Sequence, residues 1–375
     1  MKNKEEMRIL ITGAGGFIGK NLTARLTALG YAQLLPYERD TDPARLAEYA
    51  ASCDFVFHLA GINRPQDNGE FYTGNTDLTR RLLSLLEQAG NTCPVLVTSS
   101  TQAALDNDYG KSKRMAEQAL FEHGEKTGAR ICCFRLPGVF GKWCRPAYNS
   151  VVATFCHNIA RGEEIFVRDA GAAIDLVYID DVVDAFLQAL AGEETRQDRY
   201  CVLGPVYSTT LGFLADTLTS FREGRSALAV PDMSDPLVSC LYSTYLSYLP
   251  TSEFSYPLKM NVDQRGSFTE FLRTPDRGQV SVNISKPGVV KGNHWHDSKN
   301  EKFLVVRGTG VIRFRKLGEE TVYEYPVSGD KLEVVDIPTG YTHNIENIGS
   351  EEMVTVMWAN EPFDPADPDT YFLKV

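Results

Sequence analysis

Ile9-Leu10-Ile11-Thr12-Gly13-Ala14-Gly15-Gly16-Phe17-Ile18-Gly19 decides the fold of the first half of the chain. A short apolar run suited to a buried strand enters a glycine-rich turn, and residues 18–29 continue with the apolar spacing of a helix. Gly13 permits the tight turn, Gly16 lets backbone approach a pyrophosphate, and Gly19 lets helix pack on strand, so that N–H groups and the helix dipole meet the phosphates. A glycine triplet alone is a weak signal, but its context strengthens it. Apolar runs at 55–59, 95–98 and 131–136 alternate with helical periodicity at 76–89 and 111–123, which predicts βαβ units and a Rossmann-like doubly wound parallel sheet.

Downstream the pattern changes. Residues 204–257 contain a short helical segment (211–221), a Pro/Asp/Ser loop (230–236) and a Tyr-rich amphipathic segment (237–249). The junction is expected near Pro250, dividing the chain into domains 1–245 and 246–375. Beyond it, short runs rich in β-branched and aromatic residues (279–284, 302–306, 310–316, 321–327, 331–337, 353–359) are broken by Gly, Pro and Asp, which predicts an all-β sandwich or barrel. Two units also suit 375 residues, at roughly 150 residues per domain.

The composition, 43% hydrophobic and 23% charged, is that of a soluble globular protein, and no apolar run approaches the roughly 18 residues of a membrane span. The first residues show no secretory pattern, so a cytoplasmic protein is expected. All eight cysteines lie between Cys53 and Cys240, without a CxxC, which suits reduced thiols. A net charge of -11 argues against a nucleic-acid surface, since that affinity comes from clustered Lys and Arg. A single anionic ligand needs only local N–H groups and a cation or two.

Two constellations carry chemistry. Tyr109 and Lys113 stand four apart, one helical turn, so both project from the same face. A carbonyl accepting hydride needs a proton on its oxygen, and a phenol of pKa about 10 donates poorly unless a cation stabilises the phenolate. A hydroxyl at the preceding strand end, Thr98-Ser99-Ser100-Thr101, would complete the set. In the second half, His294 and His296 are separated by one residue and share a strand face, and a hairpin can bring Glu301 back to them.

The spacing of Gly13, Gly16 and Gly19 resembles the extended short-chain dehydrogenase/reductase family. Phe57-His58-Leu59-Ala60-Gly61 is similar to its strand end beside the adenosine, and Asn75 falls where its structural Asn begins a helix. Arg135-Leu136-Pro137-Gly138-Val139-Phe140-Gly141 resembles its RxxNxYG segment, and Val177-Tyr178-Ile179-Asp180-Asp181-Val182 its YxDD-like run. The resemblance covers residues 8–220. It implies a nicotinamide dinucleotide held by Gly13, Gly16, Phe17, Ile18, Gly19, Leu59, Ala60, Gly61, Tyr109 and Lys113. It makes Tyr109, Lys113 and Ser100 the catalytic set, with Ser99 and Thr101 as alternatives to Ser100.

The second strand ends in Tyr37-Glu38-Arg39-Asp40, which offers both an acid for the ribose of NAD and Arg39 for the 2'-phosphate of NADP. A biosynthetic reductase is expected to take NADPH through Arg39. The extended branch chiefly handles nucleotide-diphosphate sugars, and Lys142, Trp143, Arg145, Tyr148 and Asn149 mix cations with aromatics in a way that suits a pyrophosphate and a ring.

Gly288, His294, His296, Glu301 and Gly308 match the first cupin motif, and Pro338, Gly340, His343 and Asn347 the second. The resemblance implies a cupin β-barrel (jelly roll) with one divalent metal on His294, His296, Glu301 and His343. Zinc is expected, because a non-redox reaction needs only a Lewis acid. Asp263-Gln264-Arg265-Gly266-Ser267-Phe268-Thr269-Glu270-Phe271 is similar to the dTDP-4-keto-rhamnose 3,5-epimerases, whose base aligns with His294. Since His294 also belongs to the metal motif, Lys291, Tyr341 and a hydroxide on the metal remain alternative bases.

An extended reductase joined to an epimerase-like cupin resembles the CapF-type enzymes of bacterial capsular-polysaccharide synthesis. The resemblance implies a bifunctional UDP-sugar enzyme that epimerises C3 and then reduces C4, working as a homodimer without nucleic acid or membrane. Two other readings stay open: a keto-sugar reductase whose cupin is structural or dimerising, and an iron-dependent oxygenase.

Overall fold

The computed structural model describes residues 3–375 other than 64, 66, 68, 275, 276 and 367. The first sheet is built on five parallel strands: β1 (Arg8–Thr12), β2 (Gln33–Tyr37), β3 (Phe55–His58), β4 (Val95–Ser100) and β5 (Ile131–Leu136). Their spatial order is β2-β1-β3-β4-β5, extended by the short segments Tyr200–Cys201 and Arg196–Gln197. Among the described residues, the chain between Tyr37 and Phe55 carries one helix, Pro43–Ser52, and no strand. The β2-β1-β3-β4-β5 order is that of a doubly wound arrangement.

Covered on both faces, its central strands read as continuous apolar runs rather than alternating ones. Ile9, Ile11, Phe57, Phe134 and Phe186 fill one side, and Leu10, Val56, Leu82, Val97 and Leu120 the other. From β1 the chain turns outward to β2, and β3 lies on the opposite side of β1, so the strand order reverses there. Ligands of such sheets bind beyond the carboxyl ends of the strands at this switch point. The glycine turn after Thr12 and the Leu59, Ala60, Gly61 segment after His58 occupy that place.

Two contacts explain the glycines. Gly13 has φ +72°, and a Cβ there would lie 2.9 Å from the Ala60 backbone. A Cβ on Gly19 would lie 2.1 Å from the Gly13 carbonyl oxygen, so the helix Phe17–Ala28 can begin this close to the strand only with hydrogen at that position.

The C-terminal part is all-antiparallel. One sheet runs in the order Asn261–Asp263, Gly266–Thr274, Gly278–Ser285, Met353–Ala359, Glu301–Arg307, Val334–Ile337. The other runs Val322–Ser328, Thr309–Lys316, Tyr341–Asn347, Val290–Trp295, Tyr371–Phe372. Phe303, Val305 and Met353 of the first sheet meet Ile312, Phe314 and Ile345 of the second in one apolar core, which is the expected jelly-roll barrel. The polypeptide divides into two compact units, Met1–Leu218 with Ser243–Leu249, and Thr219–Tyr242 with Pro250–Val375. Among the described residues, no helix is long and apolar enough to cross a membrane.

Gly19→Ala forces a methyl group against the Gly13 carbonyl. It is expected to cost about 1–3 kcal/mol of stability by overpacking, read by chemical denaturation, and to weaken dinucleotide binding in titration.

Candidate active site and metal centre

In the first unit, a cavity of about 620 Å³ is lined by Gly13, Gly16, Ser100, Tyr109, Lys113 and Trp143, among others. The helix Asp108–Thr127 brings Tyr109 and Lys113 to it, capped at its start by the Asn107 side chain, which accepts from the Gly110 N–H at 2.7 Å. Gly110 matters here because a Cβ would lie 2.2 Å from the Gln102 carbonyl. Only glycine lets this helix start so near the turn that follows Ser100.

The Lys113 side chain is almost wholly buried, and its Nζ donates to the Thr98 carbonyl at 3.2 Å while lying 5.8 Å from the Tyr109 ring centre. Burial lowers its pKa to about 8, an effect partly offset by Cys133 and Glu117. Burial raises that of Tyr109, and the Ser100 hydroxyl acts against the rise. The strand-end hydroxyls are distinguished by their partners. Ser99 donates to the Glu117 carboxylate, whereas Ser100 lies beside Tyr109 and accepts from the Gln102 N–H at 3.2 Å.

Behind Lys113 a polar chain is fully satisfied. The Thr79 hydroxyl donates to the Asn75 carbonyl at 2.6 Å, so toward His58 Nε2, 2.8 Å away, it must accept. His58 therefore carries its proton on Nε2, and its Nδ1 accepts from the Thr12 hydroxyl at 2.7 Å. Burial, with the Lys113 charge nearby, lowers the His58 pKa to about 3, which keeps it neutral. Asn75 accepts from the Ile62 N–H at 2.9 Å and donates to the Ile62 carbonyl and the Ser112 hydroxyl, each at 3.1 Å.

The remaining residues expected around a dinucleotide are placed as follows. Phe17 and Ile18 open their helix with no side-chain cap, which leaves N–H groups facing outward. Leu59 and Gly61 line the cavity, and the Ala60 N–H donates to the Thr12 hydroxyl at 3.2 Å. Arg39 is exposed and outside the cavity lining, while the neighbouring Glu38 carboxylate accepts from the Gly15 N–H.

In the second unit, His294, His296, Glu301 and His343 converge, each offering a ligand atom within 4.8 Å of the others. His294 and His343 stand opposite each other on adjacent strands, and both His296 Nε2 and His343 Nε2 lie 3.4 Å from Glu301 Oε2. The strand geometry is irregular just before His294. The register shifts between Gly292 and His294, leaving Asn293 (φ 60°) as an extra residue.

The donor set fits a divalent metal. His296 Nε2, His343 Nε2 and Glu301 Oε2 are buried with no hydrogen-bond partner, although buried polar atoms are ordinarily paired. His296 donates through Nδ1 to the Asp369 carbonyl at 2.5 Å, which leaves the Nε2 lone pair free. Burial and the two neighbouring imidazoles lower the His294 pKa to about 4. Burial would raise that of Glu301, but the His296 and His343 imidazoles beside it bring it down to about 2. Neutral imidazoles and an ionised carboxylate are the forms that ligate. A cavity of about 600 Å³ opens on the cluster, with Arg265, Asn283 and Lys291 in its wall.

Residues 9–204 match the NAD dependent epimerase/dehydratase family, and residues 261–371 match the polysaccharide biosynthesis C-terminal domain. The UDP-2-acetamido-2,6-beta-L-arabino-hexul-4-ose reductase of Pseudomonas aeruginosa is 46% identical over 98% of this chain and 99% of its own. The capsular polysaccharide assembling protein CapF from Staphylococcus aureus superposes with a TM-score of 0.94 at 52% identity, covering 98% of this chain and 100% of that one. The chain belongs to the CapF-type family. A CapF structure with the inhibitor 3-isopropenyl-tropolone is also similar, with a TM-score of 0.88 at 48% identity over 98% of this chain and 100% of that one.

Within this CapF-type chain the structure adds residues that sequence reasoning gave no role. Glu117 lies one turn beyond Lys113; its carboxylate accepts from Arg135 Nε at 2.8 Å, Arg135 Nη2 at 2.6 Å and the Tyr200 hydroxyl at 3.1 Å, as well as from Ser99. An acid four residues after the lysine was the available signal. Asp369, far along the chain from His296, had none. Glu117→Gln removes the charge that pairs with Arg135 and is expected to lower stability by about 1–3 kcal/mol, measured as a shift in denaturation midpoint.

Proposed function

We propose that this chain is a bifunctional UDP-sugar enzyme of capsule synthesis. Its cupin epimerises C3 of a UDP-2-acetamido-2,6-dideoxy-4-hexulose, and its N-terminal domain reduces C4 with NADPH, giving UDP-2-acetamido-2,6-dideoxy-L-talose on the route to UDP-N-acetyl-L-fucosamine. The observation that carries this reading is the pairing, in one CapF-type chain, of a Tyr109–Lys113–Ser100 cavity at a dinucleotide turn with a four-donor cluster in a second cavity. The whole-length likeness to a 4-hexulose reductase supports the substrate class. We place the working form in the cytoplasm as a homodimer.

In the reductase half, the Tyr109 hydroxyl gives its proton to the C4 oxygen, and the Ser100 hydroxyl holds that oxygen in line. Lys113, held by the Thr98 carbonyl, keeps positive charge beside the phenolate left behind. Bound NADPH supplies the hydride, and Arg39, exposed at the end of β2, is free to meet its 2'-phosphate.

In the cupin half, a ketone at C4 acidifies the C3–H, so the site needs a cation near the ketone oxygen. A divalent ion on His294, His296, Glu301 and His343 would supply Lewis-acid stabilisation there. Lys291 adds a second cation: its Nζ donates to Asn283 Oδ1 at 2.6 Å and to the Ile284 carbonyl at 2.9 Å. Burial lowers its pKa from the usual lysine value, and it stands with His294, Tyr341 and a hydroxide on the metal as a candidate to take the C3 proton. Tropolones carry adjacent hydroxyl and ketone oxygens that chelate divalent ions, so the inhibitor bound by a CapF relative agrees with a metal here.

The test is oxidation of NADPH, compared with NADH, on the 4-keto sugar. Tyr109→Phe is expected to lower kcat by about 10²–10⁴-fold while C3 exchange continues. Because Lys113 must be protonated and burial lowers its pKa to about 8 in the free protein, wild-type kcat/KM should fall as pH rises through that value. In deuterated water, His343→Ala is expected to lose C3 exchange. Full exchange in that variant would make the metal structural, and unchanged reduction by Tyr109→Phe would remove the acid assignment.

A further inference from the structure

The segment around Asp369 is folded onto the ligand strand of the cupin. The Asp369 carbonyl accepts a hydrogen bond from His296 Nδ1, and its carboxylate accepts from three successive amides immediately after that residue: Asp297 at 2.9 Å, Ser298 at 2.9 Å and Lys299 at 2.7 Å. The Ser298 hydroxyl adds a fourth bond at 3.1 Å. Lys299, buried, returns its Nζ to the Pro368 carbonyl at 2.8 Å. Beyond Asp369, Tyr371–Phe372 pairs with His294 and Trp295, and the Tyr371 and Trp295 rings stack at 4.6 Å. Asp369 has φ +39°, a conformation that Asp tolerates and Gly adopts without strain.

We infer that Asp369 is a positioning residue of the metal centre: its carboxylate clamps the 297–299 loop so that its own carbonyl fixes the ring orientation and tautomer of His296. The inference rests on the reading of His294, His296, Glu301 and His343 as metal ligands. His294 is bonded to the backbone of Gly292 on its own strand, and His343 Nδ1 has no partner among the described residues. His296 is therefore the imidazole whose presentation is set from a distant part of the chain. A carboxylate that accepts several amides and also orders the carbonyl on a ligand couples loop geometry to metal affinity.

The test uses the full chain, Zn²⁺ in competition with a chromophoric chelator, and the visible spectrum at saturating Co²⁺. Asp369→Gly relieves the backbone conformation while removing the carboxylate, so any loss comes from the clamp. It is expected to bind Zn²⁺ about 10–100-fold more weakly than wild type, with altered Co²⁺ bands, and Asp369→Asn, which keeps one acceptor oxygen, to fall between. Should Asp369→Gly lose the far-UV spectrum of the folded chain, the same two measurements on Asp369→Asn decide. Wild-type Zn²⁺ affinity and an unchanged Co²⁺ spectrum would sink the inference alone. Failure of wild type to bind Zn²⁺, or equal binding by His343→Ala, would sink the metal-centre reading and the inference with it.

Discussion

Lys113 carries an ammonium group into the interior of the first unit, where 8% of the residue reaches solvent, and the elements around it are shaped by that cost. The Thr98 carbonyl faces its Nζ, Gly61 leaves room for it, and a Cβ on Gly61 would come within 3.0 Å of that nitrogen. His58, close enough to feel the charge, is held neutral between two threonine hydroxyls rather than adding a second cation. Glu117 supplies opposite charge one turn away, yet its carboxylate is committed to Arg135, Tyr200 and Ser99, so Lys113 is balanced without being locked into an ion pair. A cation poised in this way can respond to charge on the neighbouring phenol, which a fully paired one cannot do as well.

The two units solve opposite problems with buried polar groups. Around Lys113 almost every donor finds an acceptor, and the network is rigid because it is satisfied. In the cupin cluster the buried donor atoms are left without partners, with two imidazoles and a carboxylate pressed together. Such an arrangement is unfavourable for a protein alone and sensible when a cation belongs between them. The surrounding barrel, closed by an apolar core of Phe303, Phe314 and Ile345, supplies the rigidity that holds the cluster together.

Much of this was legible in the sequence where chemistry and spacing coincide. The glycine turn, the Tyr109 and Lys113 pair, and the three histidines with Glu301 could be named because each depends on residues close in the chain or on a matched motif. Strands with a clear apolar pattern, such as Met353–Ala359, were readable from that pattern. Tyr341–Asn347 was not, because Thr342, His343, Asn344 and Asn347 are buried polar residues and the usual alternation is lost. Glu117 with Arg135, and Asp369 with His296, pair across separations of 18 and 73 residues, and no local rule reports such partners.

The extra residue at Asn293 governs which side chains share the cupin cavity. In a regular strand, Lys291 and His294, an odd number of positions apart, would face opposite sides of the sheet. With the register shifted, Lys291 stands opposite Ile345 and His294 opposite His343, so both turn toward the interior and His296 follows. At this chain length the bulged conformation of Asn293 is therefore as decisive as residue identity. A substitution that drew Asn293 back into regular extended backbone would keep every residue of the cluster while turning Lys291 and His294 to opposite faces, whereas loss of its codon would leave the two residues two positions apart on one face.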